Sequence, residues 1–109
     1  MGIHLGKKRS NMHKQEIINK IRLVLERHRY VVKAELFGSL VRGDDKPDSD
    51  VDLLVLYDEN RPKGLDSFAI FEDLEEMLGR KVDLVQEKLL YDFVKENIQE
   101  DKVLIYERQ

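Results

Sequence analysis

Residues 36–55 read LFGSLVRGDDKPDSDVDLLV and guide the interpretation of the whole chain. Ala34–Phe37 predicts a short strand, which ends at the turn Gly38-Ser39. A polar loop over residues 43–49 then leads to Asp50-Val51-Asp52 and to a strand that is almost entirely apolar as far as Tyr57. Such apolar runs are typical of strands that are covered on both faces. The stretch therefore predicts two strands whose ends present a Gly-Ser turn and a pair of carboxylates.

The two carboxylates form a candidate metal site. Residues two apart in a strand project from the same face, so Asp50 and Asp52 point the same way, and Leu54 and Leu56 are expected to continue that face into the core. Two carboxylates this close repel each other unless a cation such as Mg²⁺ intervenes. Asp83, in the second apolar strand KVDLV, is the candidate third ligand of a two-ion site. An isolated Asp-X-Asp is more often a solvated turn, so the prediction depends on the apolar strands around these acids.

Gly38 and Ser39 form a candidate phosphate-binding turn. Gly38 lets a ligand approach the backbone because it has no Cβ, and Ser39, as the expected N-cap of a short helix, offers a hydroxyl and an amide. Amides at the start of a helix favour anions. Arg42, one turn later, could reach a phosphate, although a salt bridge to Asp44 or Asp45 is the more common role for such a residue. An anion-binding turn combined with an acidic pair predicts a site for a nucleoside triphosphate with its magnesium.

The remaining segments predict one domain that contains both helices and strands. Helices are expected at residues 14–29, 66–78 and 89–98, and strands at 34–37, 50–57, 81–86 and 103–106. The expected buried stripe of the second helix consists of Phe68, Phe71, Leu74 and Leu78. Residues 1–13 read as a flexible basic arm, and residues 14–109 as a single domain.

Composition restricts the classes of function. The chain has 109 residues, of which 38% are charged, and its net charge of −3 gives no overall attraction to nucleic acid or to anionic membranes. The absence of cysteine excludes disulfides and thiolate chemistry and fits a reducing cytoplasm, which is the expected location. No apolar run approaches the roughly 20 residues of a membrane span, and the start of the chain lacks the apolar core of a signal peptide.

The joined motif of residues 36–55, with Gly79-Arg80-Lys81-Val82-Asp83-Leu84-Val85 as its later element, resembles the minimal nucleotidyltransferase (MNT) proteins of the DNA polymerase β-like superfamily. The resemblance covers about Lys14 to Tyr106. It implies the α+β fold of that superfamily, in which a mixed sheet of about four strands is flanked by helices. Many relatives have an arginine directly after the serine of the turn, whereas this chain has Leu40.

The resemblance also implies roles for the candidate residues. Gly38 and Ser39 would hold the triphosphate of ATP, the substrate, and Arg42 would be a further phosphate contact. Asp50, Asp52 and Asp83 would be the catalytic carboxylates and the ligands of two Mg²⁺ ions.

A biological role is implied as well, because small MNT proteins are similar to the antitoxins of toxin–antitoxin pairs. The partner would be a HEPN-domain ribonuclease toxin encoded nearby, bound in a hetero-oligomer. The implied reaction transfers AMP from ATP to a tyrosine of that toxin and releases pyrophosphate. Two alternatives remain open: an antitoxin that neutralises its partner by contact alone, and a nucleotidyltransferase that acts on a small molecule or a nucleic acid.

Overall fold

The computed structural model describes residues 5–60, 65–86 and 100–108, with side chains from residue 13 onward and, after the first gap, from residue 68 onward. The elements in these ranges are α1 (Leu5–Glu26), β1 (Val31–Phe37), α2 (Ser39–Arg42), β2 (Val51–Tyr57), α3 (Leu65–Leu78), β3 (Val82–Val85) and β4 (Val103–Glu107). The strands form one sheet in the order β3-β2-β1-β4. The predicted α+β class, with a mixed sheet of about four strands, is confirmed.

Helix α1 begins at Leu5, inside the segment for which the sequence predicted a flexible arm. Lysine, arginine and leucine are good helix formers, and each residue added to an existing helix gains a backbone hydrogen bond at little cost. Residues 5–13 therefore extend the amphipathic helix although they lack its apolar spacing. The division of the chain into an arm and a domain at residue 13 stays a prediction.

Apolar side chains of α1, α3 and one face of the sheet form the core. Ile21, Val24 and Leu25 of α1 are fully buried, as are Ile70 and Leu74 of α3. The strands contribute Val31, Ala34, Leu36, Val51, Leu53, Val55, Val82 and Ile105 to the same cluster. Burying one such aliphatic side chain contributes about 1.5–3 kcal/mol, so this face of the sheet is the main source of stability.

The expected buried stripe of α3 was partly wrong. The inner face of the helix consists of Ile70, Leu74, Met77 and Leu78, at i, i+4, i+7 and i+8. Phe68 lies almost opposite Ile70 at 100° per residue and is 60% exposed, whereas Phe71 is half-buried at the edge. The two phenylalanine rings pack on each other instead, with centroids 6.5 Å apart.

Strand β2 lies between β1 and β3 and is covered unevenly. Its residues Val51, Leu53 and Val55 point toward α1 and α3, so Asp52, Leu54 and Leu56 point to the other face. Leu54 is buried on that face, but Leu56 is 54% exposed, which makes the expectation that Leu56 enters the core wrong. The predicted third helix, Leu89 to Ile98, lies outside the described residues.

The pairing of the strands determines where the acidic residues lie. β1 and β2 are antiparallel, with Phe37 opposite Asp52, whereas β2 and β3 are parallel, with Asp52 opposite Asp83. Helix α3 forms the crossover that parallel neighbours require. Over the described ranges, no helix is both long enough and apolar enough to cross a membrane.

Candidate active site

The end of β1 and the start of β2 enclose an open cavity of about 460 Å³. The antiparallel register brings Gly38, which directly follows β1, next to Asp52 near the start of β2. Five of the six site residues predicted from the sequence lie around this cavity. Its lining residues are Phe37, Gly38, Ser39, Arg42, Ser49, Asp50, Asp52 and Asp101.

Gly38 is required by both its backbone conformation and its neighbour. Its φ of 83° and ψ of −155° belong to a region that is almost restricted to glycine. A Cβ at this position would overlap the carboxylate of Asp52, whose Cγ lies 3.1 Å from the place that the Cβ would take. The absent side chain thus makes room for the acid of the site itself, in addition to any ligand.

Gly38 is also the N-cap of α2, where the sequence predicted Ser39. Its carbonyl accepts hydrogen bonds from the amides of Val41 and Arg42, each at 3.1 Å, so the helix already starts at Ser39. The amides of Ser39 and Leu40, which precede these bonds, have no acceptor within the helix, and such amides attract anions. At the other end, Gly43 closes α2 in the left-handed conformation, with φ 86°.

Asp52 is the most perturbed acid of the site. Burial, and then the carboxylates of Asp83 and Asp50, raise its pKa from 3.8 to about 6, with Arg42 opposing them. The contribution of Asp83 reflects its position directly opposite Asp52 on β3. Asp50 and Asp83 are exposed, and Asp52 is partly buried between them and the core. The site is therefore an acidic cluster that favours the binding of a cation.

The carboxylates suit Mg²⁺ in their chemistry but do not surround one point. In the described part of the chain, no group of three His, Asp or Glu side chains is close enough to hold a metal ion, and Asp83 does not line the cavity. Mg²⁺ is usually held by one or two carboxylates, with substrate phosphates and water completing its octahedron. Asp50 and Asp52 at the cavity fit this pattern, whereas the role of Asp83 as third ligand stays a prediction.

Arg42 lies at the rim of the cavity between two carboxylates. Its Nε donates to Asp44 at 3.5 Å and its Nη1 donates to Asp101 at 3.4 Å. Asp44, and then Asp101, raise the pKa of the guanidinium, so the cation is firmly retained. The side chain is 49% exposed, so it can turn toward a phosphate that enters the cavity.

Three lining residues were not predicted from the sequence: Phe37, Ser49 and Asp101. Phe37 and Ser49 adjoin the two motifs and could have been proposed from their positions. Asp101 is 59 residues from Arg42 and belongs to no motif, so only the folded chain brings it to the site. Leu40, which stands where relatives often have arginine, is 2% exposed and anchors α2 in the core.

Comparison with known proteins assigns the family. The model of the family described as "Polymerase beta, Nucleotidyltransferase" matches residues 19–109. The chain belongs to this nucleotidyltransferase family. The fold described above is thus the fold of a nucleotidyltransferase domain.

Individual relatives have names more specific than that of the family. A Methanocaldococcus jannaschii protein provisionally named a protein adenylyltransferase is 37% identical over 93 residues, which are 84% of this chain and 93% of the relative. Protein adenylyltransferase MntA of Thermococcus cleftensis is 40% identical over 70 residues, 64% of this chain and 70% of the relative.

One solved structure shows the same fold in a complex. It contains a tri-AMPylated Shewanella oneidensis HEPN toxin with its MNT antitoxin, and the match has a TM-score of 0.64. The match is 21% identical and covers 88% of this chain and 74% of that one. At this level of identity the similarity establishes the fold alone.

Proposed function

We propose that this protein is a Mg²⁺-dependent adenylyltransferase that transfers AMP from ATP to a tyrosine hydroxyl of a HEPN-domain toxin, and thereby acts as its antitoxin. The observation that supports this most directly is the cavity in which the Gly38-Ser39 turn meets the carboxylates of Asp50 and Asp52. A Mg²⁺-bound triphosphate needs an anion-binding turn and acidic ligands side by side, and this cavity supplies both.

The names of the relatives support the proposed acceptor. Two of them are named as protein adenylyltransferases, and the MNT antitoxin of S. oneidensis is seen with an AMPylated HEPN toxin. The cavity is open, so a hydroxyl presented by a second protein could approach it. We therefore expect a HEPN-domain protein encoded beside this one, a hetero-oligomer of the two, and a cytoplasmic location.

In the proposed reaction, the acceptor oxygen forms a bond to the α-phosphorus of ATP, and the bond from that phosphorus to the α–β bridging oxygen breaks. Pyrophosphate leaves with the bridging oxygen, and the proton of the acceptor hydroxyl passes to Asp83 or to water. Ser39 and the first amides of α2 would hold the triphosphate, and Asp50 and Asp52 would hold the metal. Two bound ions would activate the hydroxyl and neutralise charge on the transferring phosphate.

The test uses ATP labelled at the α-phosphate, this protein and the HEPN protein of its genomic neighbourhood. Label should appear on the HEPN protein, and ATP labelled at the γ-phosphate should leave it unlabelled, because pyrophosphate departs. Asp50→Asn and Asp52→Asn should abolish labelling. Asp48→Asn is the matched control, because it removes the same charge from an exposed residue of the preceding loop that does not line the cavity.

The same experiment separates the alternatives. If Asp52→Asn abolishes labelling but still neutralises the toxin, contact alone accounts for the antitoxin effect. If the HEPN protein stays unlabelled while a small alcohol or a nucleic acid accepts AMP, the proposed acceptor is wrong. Equal labelling by the wild type and both variants would contradict the roles of the two acids.

A further inference from the structure

The guanidinium of Arg80 holds the loop that leads to Asp50. Its Nη2 donates to the carbonyl oxygens of Ser49 at 2.8 Å and Lys46 at 3.0 Å, and its Nε donates to Ser49 at 3.1 Å. The side chain is 7% exposed, and its bonds to Ser49 are partly buried. Arg80 does not line the cavity and belongs to none of the roles described above.

Its other contacts keep the buried charge satisfied. Nη1 donates to Nε2 of His13 on α1 at 3.0 Å, and Nη2 lies 3.6 Å from the carboxylate of Asp45 in the same loop. A buried cation without such partners would be strongly destabilising. All three nitrogens of the guanidinium therefore have partners, and the planar fork is fixed in one orientation.

The loop that Arg80 contacts is itself a closed turn. The amide of Ser49 donates to the carbonyl of Lys46 at 2.9 Å, and the amide of Lys46 donates to the Ser49 hydroxyl at 2.7 Å. Because Arg80 binds the carbonyls at both ends of this turn, it holds the turn as one unit.

The residue that follows Arg80 completes the arrangement. The carbonyl of Lys81 accepts a hydrogen bond from the amide of Val51 at 2.9 Å. Asp50 lies between Ser49, which Arg80 holds, and Val51, which Lys81 holds. Two consecutive residues of the α3–β3 connection thus fix the backbone on both sides of one candidate metal ligand.

We infer that Arg80 is a positioning residue of the metal–nucleotide site, which holds Asp50 where a triphosphate-bound metal ion can reach it. The inference rests on the proposed function. Asp50 is exposed and stands at the end of a loop, so without Arg80 its carboxylate would sample more positions before binding. Residues that orient a metal ligand typically account for about 10–100-fold in metal affinity, and we expect a loss of that order.

The experiment titrates the preformed complex of Mn²⁺ with α,β-methylene ATP, which cannot transfer AMP, into the protein and follows its binding by isothermal titration calorimetry. Arg80→Ala should weaken binding by about 10-fold or more. Guanidinium ion at millimolar concentration should restore a part of the affinity, because it can occupy the vacated site. Arg80→Lys should give an intermediate loss, since an ammonium group lacks the planar fork that bonds both carbonyls.

Arg22→Ala is the matched control. Its Nε also donates to a backbone carbonyl, that of Ile105 in β4, at 2.7 Å, and neither residue lines the cavity. This variant should lose stability without losing affinity for Mn²⁺ and nucleotide, and guanidinium should have no effect on its binding.

The outcomes distinguish the inference from the proposed function. Wild-type protein that binds no Mn²⁺–nucleotide would overturn the proposed function. If the wild type binds Mn²⁺–nucleotide and a folded Arg80→Ala variant binds it with equal affinity, only the inference is overturned. If Arg80→Ala does not fold, Arg80→Lys decides, and an affinity equal to that of the wild type would contradict the role of Arg80.

Discussion

Replacing Asp52 by asparagine should stabilise the metal-free protein while it removes activity. In the native state, burial together with Asp83 and Asp50 raises the pKa of this carboxyl from 3.8 to about 6. A shift of one pKa unit corresponds to about 1.4 kcal/mol. A rise of this size at a fully buried carboxylate would therefore lower the free energy of unfolding by about 3 kcal/mol when the group is charged. Because Asp52 is only partly buried, solvent screening reduces this to about 1–2 kcal/mol. Asparagine keeps the shape of the side chain and removes the charge.

The sign of the pH dependence follows from proton binding. Between pH 3.8 and about 6, the folded state keeps a proton that the unfolded chain has lost. The stability of the wild type therefore falls as pH rises through this window. Above the window, the titration of Asp52 no longer changes the stability. The gain in stability from Asp52→Asn should therefore be complete above about pH 6, and it should vanish as pH falls toward 3.8.

Thermal unfolding followed by circular dichroism in EDTA provides the measurement. At about pH 8, Asp52→Asn should raise Tm by at least about 4 °C, since 1 kcal/mol corresponds to about 4–8 °C in a domain near this size. Asp48→Asn, at an exposed loop position, should leave Tm nearly unchanged. Mg²⁺ should raise the Tm of the wild type and not that of Asp52→Asn, because a ligand stabilises only the protein that binds it.

Two results would refute this reasoning. If Asp52→Asn is no more stable than the wild type at about pH 8 in EDTA, the charge of Asp52 does not destabilise the metal-free protein. A gain of the same size near pH 4 would mean that the stabilisation has another origin than the charge of Asp52.

Two further predictions concern the glycine turn and the core. Gly38→Ala should abolish Mn²⁺–nucleotide binding, because its Cβ would displace the Asp52 carboxylate. Gly43→Ala is the control: its φ is similarly positive, but a Cβ there meets nothing within 4 Å, so this variant should keep the binding. Loss of binding in both variants would show that backbone strain alone matters. In α1, Ile21→Ala should lower the free energy of unfolding in urea by about 2–5 kcal/mol, whereas Leu23→Ala, at a position 53% exposed, should change it by less than about 0.5 kcal/mol. Equal losses would contradict the assigned face of the helix.

The local features of the site could be predicted because they depend on short-range periodicity. The alternation of β2 turns Asp52 away from the buried Val51 and Leu53, and Asp50, directly before the strand, lines the same cavity. The apolar residues around them distinguish the pair from a solvated turn. The proximity of Gly38 to Asp52 also follows once β1 and β2 are neighbours. These inferences require knowledge of a few consecutive residues and of one strand pairing.

Features that depend on distant contacts could not be predicted. Arg80 acts on Ser49, which is 31 residues away, and Asp101 pairs with Arg42 across 59 residues. Neither Arg80 nor Asp101 belongs to a sequence pattern that reveals its partner. For Arg80, the one available signal is its place between the glycine that ends α3 and a strand that pairs with β2.

The error in α3 has a different cause. Phe68 and Phe71 are as apolar as Ile70, so hydrophobicity alone allowed two helical faces. Packing against the sheet selected the face that contains Ile70 and Leu74, and the aromatic rings remained at the outside. Intrinsic patterns leave such a choice open when a short helix is apolar on more than one side.

The in-register pairing of Asp52 with Asp83 makes the chain intolerant of length changes at one place. The connection between Leu78 and Val82 is short. Within it, Arg80 binds Ser49 in the loop before β2, and Lys81 binds Val51, the first residue of β2. One residue gained or lost there would shift β3 by one position, and Asp83 would then point to the opposite side of the sheet. Among homologous chains, insertions and deletions should therefore avoid residues 79–81, even though a turn between a helix and a strand usually accommodates them.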